Sequence, residues 1–319
     1  MPEPRPTANS SIPPTLGHVI GQPQAAQKLQ VAVEAAFADG DPLCHTLLTG
    51  PAGTGKSMLA QVLAAEMQGE FHERLAQTLA TPGAVNGLLM AAESDKAILF
   101  IDEIHELPSE CQTTLYTALD QRAIYVGHQR TNTLTRLQTT AFTLIGATTD
   151  PQMLLPPLRD RFKLVCQLQR YGVEDLVKVV SQKARQLGWE VDEAALPSIA
   201  ERSFGTPRLA LRLLESAYRT ARSEGASALT QAHVNRTFFL EGIDSLGLGP
   251  DERLYLRMLA DASGPLRLAV IASRLGQPPE AVSRVVETNL LFLGLIERTD
   301  RGRMLTPKGI EHARLTVRR

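Results

Sequence analysis

The chain has 319 residues, is 43% hydrophobic and is nearly neutral, with 33 basic against 34 acidic side chains. That length fits two or three ordinary domains, and the charge balance excludes a strongly polybasic or polyacidic protein. No stretch approaches ~18 consecutive apolar residues, so no membrane span is expected. Residues 1–16 are rich in Pro and Ser with no apolar core, and read as a flexible tail rather than a secretion signal. Cys44, Cys111 and Cys166 are widely spaced, as reduced thiols of a cytoplasmic protein would be. Residues 251–319 carry twelve basic and eight acidic side chains, a surplus of +4 in a chain of net −1. That suits either a polyanion partner or an ordinary solvated surface.

In chain order, Ala25, Leu29, Val33 and Ala36 recur at helical spacing. Thr46-Leu47-Leu48 is a short strand. It leads into Gly50-Pro51-Ala52-Gly53-Thr54-Gly55-Lys56-Ser57 and then a helical run from Met58 to Met67. Strand, G-x-x-x-x-G-K-[ST] and helix is the context that a phosphate-binding loop requires. Glycines let backbone N–H groups close around phosphate oxygens, and the helix N-terminus adds partial positive charge. Lys56 is expected to reach the β- and γ-phosphates, and Ser57 to offer its hydroxyl to Mg2+. A chance Gly-rich turn is the plainer alternative.

Ala97-Ile98-Leu99-Phe100-Ile101 is a continuous apolar run, as a strand buried on both faces should be. Asp102-Glu103 closes it. Carboxylates at the C-terminal end of such a strand face the ligand crevice. Asp102 is expected to hold Mg2+, directly or through water, and Glu103 to deprotonate the attacking water. An acidic strand-ending turn is the alternative. His105 reads as structural. Cys111 to Leu119 is helical, and Phe142-Thr143-Leu144-Ile145-Gly146 is another buried strand. Of the hydroxyls that end it, Thr149 is the first choice to fix the water and Thr148 the second. Alternating strands and helices over 17–169 predict an α/β domain with a parallel sheet. In Pro157-Leu158-Arg159-Asp160-Arg161-Phe162, two arginines flank an aspartate beside apolar anchors. That fits an arginine finger at a subunit edge, or an ion pair within the triplet.

From Val173 the strand signals disappear. Apolar stripes at Leu176-Val179-Val180-Ala184, Leu196-Ile199-Ala200 and Leu209-Leu213-Leu214, and a run ending at Phe238-Phe239-Leu240, predict a small all-α domain over 170–246. Thr206 is a good N-cap and Pro207 a good first helical residue. Arg208 then sits in the first turn, against the helix dipole, and either projects towards phosphate or points to solvent. Beyond the linker Gly247-Leu248-Gly249-Pro250, three helical stripes and a hairpin turning at Asp300-Arg301-Gly302 outline a winged helix over 250–319.

These motifs, in this order, resemble the AAA+ ATPases. Ile101-Asp102-Glu103-Ile104-His105, Gly146-Ala147-Thr148-Thr149, Pro157-Leu158-Arg159-Asp160-Arg161-Phe162, Gly205-Thr206-Pro207-Arg208 and Arg298-Thr299-Asp300-Arg301-Gly302-Arg303 are similar to the RuvB family of Holliday-junction branch-migration motors, over about residues 19–315. The resemblance implies a P-loop AAA+ sheet domain, a small all-α lid and a C-terminal winged helix. It implies ATP and Mg2+, a homo-hexameric ring around duplex or four-way-junction DNA, and a RuvA-type junction-binding partner. It also implies roles. Lys56, Glu103, Thr149 (first sensor) and Arg161 (finger on a neighbour's ATP) are the catalytic set, with Ser57 and Asp102 at the metal. Val19 and Ile20 pack against adenine, with Tyr171 near the nucleotide. Gly53, Gly55, Met58 and the second sensor Arg208 complete the nucleotide set. Arg298 and Arg303 are implied to contact DNA phosphates.

The chain departs from the family pattern at Glu73-Arg74-Leu75-Ala76-Gln77-Thr78, at Ala118-Leu119-Asp120-Gln121 and in the hairpin region 125–138. Two other functions fit the same motifs: a loader or remodeller that uses ATP as a switch, and a nucleotide-regulated DNA-binding protein with little hydrolysis.

Overall fold

The computed structural model describes residues 12–128 and 133–317. The chain forms two compact units, residues 1–179 with 206–208, and residues 180–205 with 209–319.

The first unit contains α1 (Pro23–Asp39), β1 (Thr46–Thr49), α2 (Lys56–Met67), β2 (Phe71–Leu75), α3 (Pro82–Leu89), β3 (Ile98–Asp102) and α4 (Ser109–Gln121). The hairpin β4 (Ala123–His128) and β5 (Thr133–Gln138) follows, then β6 (Thr143–Thr148), α5 (Pro156–Arg159) and β7 (Leu164–Gln167). Five strands pair in parallel in the order β2-β3-β6-β1-β7. The apolar runs explain why the centre is covered on both sides. Strand alternation sends Leu99 and Ile101 of β3 into one core, with residues of α3 and α4. It sends Ile98 and Phe100 into the other, with α1 and α2. On α1 the buried residues are Ala25, Leu29, Val33 and Ala36, the stripe that the spacing predicts.

β2, α3 and β7 are not among the elements that the sequence pattern predicts. Of the stretch expected to be a flexible tail, residues 1–11 lie outside the described residues. Leu16 is buried, and its N–H donates to Glu66 Oε1 at 2.8 Å. Of the unusual run Gly127-His128-Gln129-Arg130, Gln129 and Arg130 also lie outside the described residues.

One half-buried titratable group beside the sheet sets a pH limit. His45 Nδ1 accepts a hydrogen bond from the Leu144 N–H at 3.0 Å, and its ring packs on Phe142. Burial, helped by the charges of Lys163 and Arg122, lowers its pKa from 6.5 to about 4. The unfolded chain therefore binds this proton more readily than the folded one. Stability from this group is complete above pH ~6.5 and is lost as pH falls towards ~4, on the order of 3 kcal/mol in full. Urea unfolding at pH 7 and pH 4.5 should show the loss. His45→Gln, which takes no proton, should remove that share of the pH dependence.

Further along the chain come α6 (Val173–Gln186), β8 (Glu190–Val191), α7 (Leu196–Glu201), α8 (Pro207–Ser223), β9 (Ala228–Leu229) and α9 (Gln231–Leu240). The two-residue parallel pair of β8 and β9 interrupts a region expected to be purely helical. Then follow α10 (Pro250–Ala260), α11 (Leu268–Leu275) and a helix over 279–292 made of α12 (Pro279–Ala281), a π-helical turn (Val282–Val286) and α13 (Glu287–Phe292). The antiparallel wing of β10 (Ile296–Thr299) and β11 (Gly302–Leu305) comes next, and α14 (Pro307–Val317), which was not anticipated, ends the described chain. Tyr255, Leu256, Ile271, Val282, Val286, Leu290 and Leu295 form the core of this winged helix. No described helix is long and apolar enough to cross a membrane.

Candidate active site

The phosphate loop joins β1 to α2. Gly50, Gly53 and Gly55 have φ of 136°, 77° and 98°, the region that favours glycine. A Cβ on Gly50 would lie 2.3 Å from the Leu168 carbonyl oxygen. The loop is stiffened from within, since the buried Thr54 donates its hydroxyl to Pro51 O at 2.8 Å. Lys56 Nζ donates to Gly50 O at 2.8 Å and Pro51 O at 3.1 Å, so its ammonium lies against the loop backbone. Burial lowers the Lys56 pKa, Glu103 and Asp102 oppose that shift, and Arg208 adds to it.

The carboxylates reach the loop because β3 and β6 are neighbours. Their register pairs Ile101 with Gly146, so both strands end at the same level. Ser57 Oγ donates to Asp102 Oδ2 at 3.3 Å, and Asp102 Oδ1 accepts from the Glu103 N–H at 3.0 Å. Glu103 Oε2 accepts from both the N–H and the hydroxyl of Thr149, each at 3.3 Å, and lies 3.4 Å from His105 Nδ1. The first-choice threonine thus meets the expected base directly. Thr148 is buried and instead pairs its hydroxyl with His105 Nδ1 at 3.0 Å. Glu103 itself has φ of 49°, a left-handed conformation costing a non-glycine residue ~1–3 kcal/mol and typical of functional sites.

Ser57 and Asp102 are hard oxygen donors, and the described residues contain no cluster of three or more His, Cys, Asp or Glu side chains that could hold a metal. That donor set fits Mg2+, which keeps several waters and takes one or two protein carboxylates alongside phosphate.

Two further expected residues close on the loop. The Arg208 N–H is 3.4 Å from Gly53 O, and a Cβ on Gly53 would lie 3.1 Å from Arg208 Cβ. Tyr171 is buried, and its ring would clash with a Cβ on Gly21 at 2.6 Å. Its hydroxyl lies 3.7 Å from the Cβ position of Gly55, and Met58 Cε lies 3.4 Å from that same point. Val19 is half-buried against the core beside α1 and α2, and Ile20 is half-buried next to it. The side chain of Gln22 bonds the backbone of Gln169 in both directions, at 2.6 and 3.0 Å, tying this segment to the end of β7.

Arg161 lies apart from this group, just after α5. The ion pair imagined within Arg159-Asp160-Arg161 is not what forms. Arg161 Nε and Nη2 reach Asp120 Oδ1 and Oδ2 at 2.7 and 2.6 Å, and Nη1 reaches Pro157 O at 3.2 Å. Asp120, on the last turn of α4, was passed over as a functional residue. No local pattern links positions 120 and 161.

In the wing, Arg298 and Arg303 converge on Glu287, which is fully buried. Arg298 Nη2 lies 2.6 Å from Glu287 Oε2, and Arg303 Nε 2.8 Å from Oε1. Tyr255 donates its hydroxyl to Oε1 at 2.6 Å. Burial alone would raise the Glu287 pKa, but the bonds from Arg303, Tyr255 and Arg298 outweigh it and hold it down. Both arginines implied to touch DNA therefore also fasten the wing to the preceding helix. Glu287 was missed too; its one signal is a carboxylate at the margin of the apolar stripe Val282-Val286-Leu290. Glu287→Ala should destabilise the winged helix by about 3 kcal/mol, because removing one partner strands the others. Equilibrium urea unfolding measures it.

Three family models match the chain: the Holliday junction DNA helicase RuvB P-loop domain over residues 12–168, the RuvB AAA lid domain over 171–244 and the RuvB C-terminal winged helix domain over 245–314. The chain is 38% identical to Holliday junction branch migration complex subunit RuvB 2 of Synechococcus sp. (strain JA-3-3Ab), over 96% of this chain and 83% of that one. It is 36% identical to the RuvB subunit of Rubrobacter xylanophilus, over 96% and 87%. The solved Thermotoga maritima RuvB Holliday junction branch migration motor superposes with a TM-score of 0.83 at 34% identity, covering 95% of this chain and 98% of that one.

Proposed function

The chain belongs to the RuvB family of P-loop ATPases, and from that premise we propose that it is an ATP-driven motor that branch-migrates four-way DNA junctions. Relatives are named as subunits of a Holliday junction branch migration complex, and this reading carries that role to the present chain. It acts in the cytoplasm as a homo-hexameric ring around duplex DNA, with a RuvA-type junction-binding protein as partner.

In the proposed reaction, the loop amides and Lys56 grip the β- and γ-phosphates. Ser57 and Asp102 would hold Mg2+, which would neutralise phosphate charge when bound. Glu103 takes the proton of the attacking water. Thr149 keeps the Glu103 carboxylate aimed through two hydrogen bonds to one oxygen. Arg208 contacts the phosphates from its place beside Gly53. Val19, Ile20 and Tyr171 border the base, with Met58 near Gly55. Arg161 of a neighbouring subunit stabilises charge on the transferring phosphoryl group. The wing, braced by Arg298 and Arg303, contacts DNA phosphates without reading sequence.

One observation carries this reading. Ser57 meets Asp102 and Glu103 meets Thr149 at adjacent strand ends beside the loop, so phosphate grip and water activation share one place. The test is strand dissociation from a synthetic four-way junction, with and without a RuvA preparation. ATP-dependent dissociation is expected. Little turnover with or without duplex DNA, and no dissociation under either condition, would leave a nucleotide-regulated DNA-binding protein instead.

A further inference from the structure

We propose that Asp120 is the positioning residue of the arginine finger: it holds the Arg161 guanidinium by one edge and so presents the other edge outward for phosphate oxygens. The proposal rests on Arg161 acting on a neighbour's nucleotide, as inferred above.

The guanidinium has five N–H groups fixed in one plane. Nε–H and one Nη2–H go to the two oxygens of Asp120, at 2.7 and 2.6 Å, and one Nη1–H goes to Pro157 O at 3.2 Å. That leaves one N–H on each of Nη1 and Nη2 to meet phosphate oxygens. The carboxylate and the phosphate therefore need not compete for the same donors.

Both ends of this contact are anchored by packing. Ala118 on α4, and Leu158 and Phe162 on either side of Arg161, belong to one buried core. The backbone at each end is thus fixed, and the bidentate pair removes the remaining side-chain freedom of a long arginine. The pair itself is half-exposed, so it contributes little to stability. Its effect is on geometry, where a misplacement of about 1 Å costs ~100-fold in rate. Asp160, adjacent in sequence, adds only its field to Arg161, while the bond from Arg161 holds the Asp120 carboxyl below its usual range.

The test is steady-state ATPase of the full chain on duplex DNA, at concentrations where light scattering shows wild-type assembly size. Asp120→Asn should lower kcat roughly 10–100-fold, with KM for ATP and the melting temperature unchanged. Asp120→Glu, which keeps the charge, should restore part of the loss. In an Arg161→Ala background, Asp120→Asn should cost nothing more. Unchanged or faster turnover in Asp120→Asn would overturn the proposal, the faster case making Asp120 a brake. So would losses that multiply in the double variant. If Arg161→Ala itself turned over normally, the finger reading would fall and this proposal with it. A loss in Arg161→Ala with none in Asp120→Asn would overturn this proposal alone.

Discussion

Glu103→Gln should stop ATP turnover while leaving nucleotide binding intact. The carboxylate combines a free lone pair for a proton with a fixed orientation, set by Thr149 and the strained turn after β3. Glutamine keeps the size and can still accept both Thr149 bonds, but it cannot take the proton. General-base catalysis is worth ~10²–10⁴-fold, and the loss should fall wholly on kcat. Binding rests on other groups, the loop amides, Lys56 and Ser57, none of which contacts the Glu103 side chain by hydrogen bond. Phosphate release and binding of a fluorescent nucleotide, measured on the same preparation, separate the two effects. Turnover within threefold of wild type would move the base elsewhere, with His105, 3.4 Å from the same oxygen, the next candidate.

Much of this site is legible in the sequence because its parts are local. A strand followed by a glycine loop and a helix is one continuous stretch, and both carboxylates close one strand, β3, whose apolar run marks it as buried. What the linear pattern cannot carry is which distant side chains meet. Asp120 and Arg161 are 41 positions apart, and Arg298 meets a glutamate that the run of valines around it had disguised as core. The missed elements have physical reasons as well. β2 is an edge strand with the sequence Phe-His-Glu-Arg-Leu, half-exposed or exposed throughout, so it lacks the continuous apolar run that betrays β3. α3 carries two glycines in eight residues, each worth about 1 kcal/mol against a helix, and forms because Val85, Leu88 and Leu89 bury into the core. Tertiary burial overrode local propensity there. Conversely, the stripe of α1 is predicted from period and the wing hairpin from its turn at Asp300-Arg301-Gly302, with no such help.

Two inactive variants should restore activity to each other when mixed. Arg161→Ala keeps an intact phosphate loop, Asp102 and Glu103, but has no finger to offer. Alone it should lose ~10³–10⁵-fold in turnover if the arginine stabilises the transferring phosphoryl group. Glu103→Gln has the opposite defect: its own site is dead, but its Arg161 and the Asp120 that holds it are untouched. In a ring built head to tail, every site is shared between one subunit's cradle and the next subunit's finger. Random mixing in equal amounts then creates sites that join the good cradle of one variant to the good finger of the other. These should be about a quarter of the total, so turnover should recover towards that fraction of wild type, far above either parent. If the arginine served its own subunit, no arrangement of the two variants would contain a complete site, and the mixture would stay as inactive as its components. Dilution of wild type with Arg161→Ala cannot make this distinction, because activity falls in proportion under both arrangements when sites act independently. Complementation separates them by the presence or absence of a signal, once subunit exchange between differently labelled variants has shown that mixed assemblies form.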